Sequence, residues 1–135
     1  MIVVRMQTDK SAQKNEVYDF RSLETWKRSH ELALRVYGTT RSFPDEEKFG
    51  LVNQLRRAAS SVGANIAEGY GRYSFKDRIR FYHQARGSLK EVQNFLFLSV
   101  DLGLLSKDIF SEILDLSITT EKLLNGLIRH SQKSA

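Results

Sequence analysis

Cysteine is absent from the 135 residues, which removes disulfides and thiolate metal sites and is compatible with a reducing compartment. Proline occurs once, as Pro44, and the eight glycines are scattered. Few turns are therefore encoded, and long helices are favoured over a sheet. Long apolar runs are missing too. Phe95-Leu96-Phe97-Leu98 falls far short of the roughly 18 residues that cross a bilayer, so no membrane partner is expected. The opening Met1-Ile2-Val3-Val4-Arg5-Met6 is too brief for a secretory signal and lacks a small-residue cleavage site. Cytoplasmic localisation is the expectation.

What is present is enough for one domain. Hydrophobic residues make up 41% of the chain, and the formal net charge is +5. That charge is unevenly placed. Residues 72–90 carry six basic side chains (Arg72, Lys76, Arg78, Arg80, Arg86 and Lys90) against one acid, Asp77, so the rest of the chain nearly cancels. An excess of this kind suits an anionic partner.

Residues 1–19 are polar and aperiodic and read as a mobile arm. Four helices follow within a bundle domain spanning 20–131, with 132–135 as a short tail. The first runs from Ser22, as N-cap, to Arg41, with Leu23, Trp26, His30, Ala33 and Tyr37 along one face. Phe43-Pro44-Asp45 ends it and starts the second, which runs to Glu68 with Val52, Leu55, Ala59, Val62 and Ile66 inward. Small residues from Ala58 to Ala64 predict close approach of a neighbour, and Gly69 and Gly71 read as stop residues. The third runs from Ser74 to Leu102, with Tyr82, Ala85, Leu89, Val92, Leu96 and Val100 inward, and Gly103 closes it. Ser106 caps the fourth, whose stripe is Ile109, Ile113, Leu116, Leu123 and Leu127. Short connections make sequence neighbours antiparallel. The fold class is all-α: an antiparallel up-down-up-down four-helix bundle.

At 100° per residue, Arg72, Lys76, Arg80, His83 and Lys90 fall within an arc of about 80°. A row of long cations can follow the phosphates of RNA or DNA, or can simply solvate a helix face. Tyr73 and Phe75 flank the row and read as packing residues. Arg78 and Arg86 lie nearer the apolar stripe, where a guanidinium needs a partner, and Glu68 and Glu91 are the candidates. Asn65 and Ser88 can bond across a helix interface. Asn65, Glu68, Arg86, Ser88 and Glu91 thus form an expected structural polar network.

Catalytic chemistry finds little footing. Gly69-Tyr70-Gly71 lacks a third glycine and follows a helix, so the dinucleotide fingerprint fails. His30, His83 and His130 sit on three different helices, with His30 expected in the core, and no Glu-x-x-His motif occurs. No enzyme activity, catalytic residue, metal or cofactor is expected. The apolar residues from Val92 to Leu102 spread right round the third helix, and Phe95 and Leu98 point away from its inward stripe. One bundle buries one side of a helix, so these two predict an oligomer interface.

Asn65-Ile66-Ala67-Glu68-Gly69, Ala85-Arg86-Gly87-Ser88-Leu89 and the opening Phe20-Arg21-Ser22-Leu23-Glu24-Thr25-Trp26 carry a resemblance. From about Phe20 to Arg129 the chain resembles the bacterial four-helix bundle protein family. That family includes proteins encoded in intervening sequences of 23S ribosomal RNA genes and accessory variability determinants of diversity-generating retroelements. The resemblance implies a homopentamer. By way of the retroelement branch it also implies nucleic-acid binding and a reverse transcriptase partner. The expected function is a non-catalytic accessory protein that binds nucleic acid, with a structural or protein-interaction ring as the alternative.

Overall fold

The structure is a computed structural model and describes residues 19–135. Within that range there are four α-helices and no strand: α1 (Glu24–Thr40), α2 (Leu51–Tyr70), α3 (Phe75–Asp101) and α4 (Lys107–Ser134). Single 3-10 turns at Phe20–Ser22 and Asp45–Glu47 precede α1 and α2. No described helix is long and apolar enough to cross a membrane. The expected mobile arm falls on residues outside those described, except Asp19.

Each helix packs on its sequence neighbours, and α4 closes back onto α1. Bonds between α3 and α4 fix the direction of that pair. Arg86 reaches Asn125, Lys90 reaches Glu121 and Gln93 reaches Ser117, so one helix ascends as the other descends. The α2–α3 pair behaves likewise, with Ser88 on Ser61 and Tyr82 against Gly69. The bundle is antiparallel. Its core is built from Leu32 and Val36 of α1, Leu55, Val62 and Ile66 of α2, Leu89 and Leu96 of α3, and Ile113 and Leu124 of α4.

The helix ends correct several expectations. Ser22 does not cap α1. Asp19 caps the preceding turn instead, accepting the Arg21 N–H at 2.9 Å, while the Ser22 hydroxyl donates back to the Asp19 carbonyl. Asp45 opens only a 3-10 turn, because the backbone breaks at Gly50 (φ −107°, ψ −106°) before α2 begins. Gly69 is no stop residue. It lies inside α2, where an added Cβ would come 2.8 Å from Tyr82 Cε1, so glycine is what lets α3 approach. Gly71 caps α2 from the right-handed region. Gly103 does turn left-handed (φ 76°), with its N–H on Val100 and the Leu104 N–H on Ser99, a closed Schellman end for α3. Ser74 and Ser106 cap α3 and α4 by accepting the N–H of Asp77 and Ile109. The expected tail at 132–135 is helical through Ser134.

One face is also corrected. The inward residues of α1 are Thr25, Ser29, Leu32, Val36 and Thr40, a rotation of about one residue from the expected stripe. Leu23, Trp26 and Ala33 pack only at the edge of the core, while His30 and Tyr37 are exposed. On α4 the inward face holds Ser117, Thr120, Leu124 and Ile128, leaving Ile109 exposed and Leu116 and Leu127 half-buried. The stripes expected for α2 and α3 are buried, apart from half-buried Val100.

Candidate nucleic-acid interface

The tight turn between α2 and α3 positions most of the candidate cations. Gly71 ends α2, Ser74 caps α3, and Arg72 and Tyr73 stand between them. Arg72 is thus on the turn and not on α3. Its guanidinium reaches Glu68 Oε2 at 2.7 Å, and its Nε lies 3.8 Å from Asp77 Oδ2 without a hydrogen bond. Arg80 meets the same Asp77 at 3.0 Å. Both guanidiniums lie over the Phe81 ring, at 4.7 and 4.3 Å from its centre. Lys76 is exposed and makes no ion pair among the described residues.

Arg78 holds the turn in place. Its Nε donates to the Arg72 carbonyl at 2.8 Å, and its guanidinium lies near the Tyr70 and Phe75 rings, at 5.2 and 4.7 Å. This gives a buried-edge cation a backbone acceptor and two apolar faces, so Arg78 needs no carboxylate. Phe75 packs edge-on against His130, as expected of a packing residue. Tyr73 overturns the same expectation. It is 100% exposed, because the turn carries it clear of both helices.

His83 and Lys90, further along α3, belong to a different neighbourhood. His83 Nδ1 accepts from Arg86 at 2.9 Å, and the Lys90 ammonium pairs with Glu121 at 3.0 Å. The expected row of five therefore divides. Arg72 and Arg80 meet over Phe81, with Lys76 exposed on the first turn of α3, while His83 accepts from Arg86 and Lys90 pairs across to α4. The Phe75–His130 contact adds the end of α4 to the turn, with Arg129, His130 and Lys133 exposed there. Reading one helix at a time missed that contribution. Its signal was the basic last turn of α4, where the helix dipole favours cations.

The expected polar network separates into three parts. Asn65 donates to the Ser61 carbonyl and hydroxyl, and Ser88 donates to the Ser61 hydroxyl at 3.0 Å, joining α2 to α3. Glu68 goes to Arg72. Arg86 faces α4 and donates to Asn125 Oδ1 at 3.0 Å, while Glu91 is exposed and pairs with no cation among the described residues. The residue that sequence reasoning missed here is Glu121. Burial works to raise its carboxyl, but the Gln93 amide and the Lys90 ammonium outweigh this and hold it below the usual carboxylate range.

Of the expected interface pair, Leu98 is 43% exposed, but Phe95 packs against the core. The exposed aromatic is its neighbour Phe97, set edge-on to Phe110 at 5.0 Å. On the other side of the bundle, α1 and α2 frame an open apolar groove of about 510 Å³. It takes in the face of α1 expected to be core. Trp26 and His30 stack there at 4.6 Å, beside Tyr37, Gly63, Ala64 and Ala67. Among the described residues no cluster of three His, Asp or Glu could hold a metal ion.

Comparison with known proteins agrees with this architecture. A crystal structure of a protein of unknown function from the S23 ribosomal protein family of Bacteroides thetaiotaomicron superposes with a TM-score of 0.70 at 25% sequence identity. The match covers 77% of this chain and 97% of that one. No curated protein matches the chain. The family described as 23S rRNA-intervening sequence protein matches residues 21–126, which include α1, α2, α3, the α2–α3 turn and most of α4. The chain belongs to the 23S rRNA-intervening sequence protein family.

Proposed function

We propose that this chain is a non-catalytic, homo-oligomeric bundle that binds RNA or DNA through the end formed by the α2–α3 turn. One observation carries the reading: a wholly exposed Tyr73 on the same turn as Arg72, with Lys76 and Arg80 in the first two turns of the helix that follows. An exposed aromatic between cations offers a base a face to stack on while the cations meet the flanking phosphates. Arg72 and Arg80 already touch carboxylates, so a phosphate would join or displace those pairs, and Lys76 is free to make the first contact. Repetition around an oligomer would multiply weak single-chain contacts. The family name refers to 23S rRNA and the Bacteroides relative is described as ribosomal, which makes RNA the first polymer to try.

The test is a salt titration of binding to labelled single-stranded RNA and DNA, with light scattering to give the subunit number. Affinity should fall steeply with salt, and Lys76→Gln with Arg80→Gln should reduce that slope. Tyr73→Ala should cost roughly 5- to 150-fold, the equivalent of losing one stacked base at about 1–3 kcal/mol. Lys90→Gln should change little, since Glu121 already neutralises Lys90. If the wild-type protein ignores both polymers at low salt, the nucleic-acid reading is wrong. The Glu68 and Asp77 pairs would then favour the second reading, a protein-interaction ring whose arginines are structural.

A further inference from the structure

Two guanidiniums gathered at one aromatic ring make a seat for an anion, and this chain fills that seat with its own carboxylates. Arg72 and Arg80 lie 4.7 and 4.3 Å from the centre of the Phe81 ring, where like charges repel unless an anion joins them. Asp77 joins them. Its Oδ1 accepts from two nitrogens of Arg80 at 3.2 and 3.0 Å, and its Oδ2 lies 3.8 Å from Arg72 Nε. Glu68 holds the Arg72 guanidinium from α2 at 2.7 Å. Helix physics accounts for only one of these acids. Asp77 stands in the first turn of α3, where the dipole favours a carboxylate, but Glu68 stands in the last turn of α2, where it does not. What Glu68 provides is its hold on Arg72. That hold is imperfect, because Arg72 Nε is buried with no hydrogen-bond partner among the described residues. Swinging the guanidinium out removes this cost. The four side chains are 36–57% exposed, and pairs so open to water exchange readily.

We propose that Glu68 and Asp77 are internal stand-ins for phosphate, closing Arg72 and Arg80 to small anions and giving way to a phosphate chain. This rests on the nucleic-acid reading above and adds the residues that set the selectivity of that site. Any ligand that uses the two arginines first displaces the carboxylates, so every ligand meets the same fixed cost. Inorganic phosphate gains one or two contacts and does not recover it. A single strand also reaches Lys76 and Tyr73, which are exposed and have no ion pair to break. Masking leaves the ratio of the two affinities unchanged. It moves the weak ligand out of reach at ordinary concentrations and leaves the strong one bound.

The experiment measures binding of a labelled single-stranded RNA to the whole chain and to Glu68→Gln, Asp77→Asn and the double variant. Glu91→Gln is the control, since it removes one exposed acid of α3 away from the turn. Each single change at Glu68 or Asp77 should tighten binding about 1.4- to 5-fold, the worth of one surface ion pair, and Glu91→Gln should not. Exchanging chloride for inorganic phosphate at constant ionic strength should leave the wild-type affinity alone and take back part of the double variant's gain. Circular dichroism melts show that each variant is folded. Glu68→Gln carries the test if Asp77→Asn loosens the first turn of α3. A wild type that binds RNA while both single variants bind no tighter overturns the masking and leaves the nucleic-acid reading standing. Equal phosphate sensitivity in wild type and double variant does the same. A gain of equal size in Glu91→Gln assigns the effect to net charge and also overturns it. If neither the wild type nor the double variant binds RNA at low salt, the nucleic-acid reading itself fails and the masking falls with it.

Discussion

Buried hydroxyls do much of the fitting in this core. Ser29, Thr40, Ser99, Ser117, Thr120 and Ser131 are all buried, and each donates to a carbonyl three or four residues earlier on its own helix. Each hydroxyl proton is thereby satisfied within its own helix, Thr40 and Ser117 also accept from Arg56 and Gln93 of neighbouring helices, and the small side chain lets a neighbour come close. Tyr82 is the large counterpart. It is fully buried against Gly69, and burial pushes its phenol up to about 12, with nearby Arg78 pulling the other way. The unfolded phenol titrates near 10, so the neutral ring stabilises the fold below that pH. That contribution is lost as pH rises from 10 towards 12. Urea midpoints measured from pH 8 to 12 should fall on the alkaline side, and Tyr82→Phe should make that fall shallower. An unchanged alkaline limb in the variant would remove Tyr82 as its source.

At the scale of elements, the α3–α4 pair shows how polar contacts set register between helices whose apolar stripes alone would tolerate a slip. Arg86–Asn125, Lys90–Glu121 and Gln93–Ser117 line up in descending order along one seam. Glu121 is the acid of that seam, and its lowered pKa means that the charged form is favoured on folding. Its stabilisation is present above about 4.5 and fades as pH drops below that value. Glu121→Gln should therefore cost about 0.2–1 kcal/mol at pH 7 and almost nothing at pH 3, read from urea unfolding at both. A cost that is equal at the two values would assign the effect to packing.

The stripes of α2 and α3 were legible in the sequence because each offers one dominant apolar face. That of α1 was not, since Trp26, Ala33 and Tyr37 compete with Leu32 and Val36, and the bulkier set stays outside. Ser74 and Ser106 were readable as caps because each stands at the start of a periodic run. Gly69 was misread because a close approach and a stop residue look alike until the facing side chain, Tyr82, is known. The cations of the candidate site were visible, but their partners were not. Asp77 and Glu68 lie close in sequence, yet only the turn geometry brings Arg72 to both.

Across the whole molecule, three of the four helix pairings join consecutive helices, and only α4 on α1 closes over a long stretch of chain. Local pairing costs little loop entropy, so folding should complete within milliseconds. Stopped-flow fluorescence of Trp26 at concentrations low enough to suppress association measures this directly. A refolding phase of seconds would show that some other step, such as assembly, is limiting.

An even number of antiparallel helices brings both ends of the described chain to one pole. Asp19 and Phe20 lie beside Tyr70, Gly71 and Arg78, and His130 lies against Phe75. Anything attached at Asp19 or at the C-terminal end of α4 is therefore held beside the α2–α3 turn, while the Pro44 and Gly103 connections occupy the opposite pole. A purification tag or fluorophore at the C-terminus would crowd the turn that carries Tyr73 and Arg72. The same label inserted next to Pro44 would leave them open, which makes that loop the sensible attachment point for any binding assay.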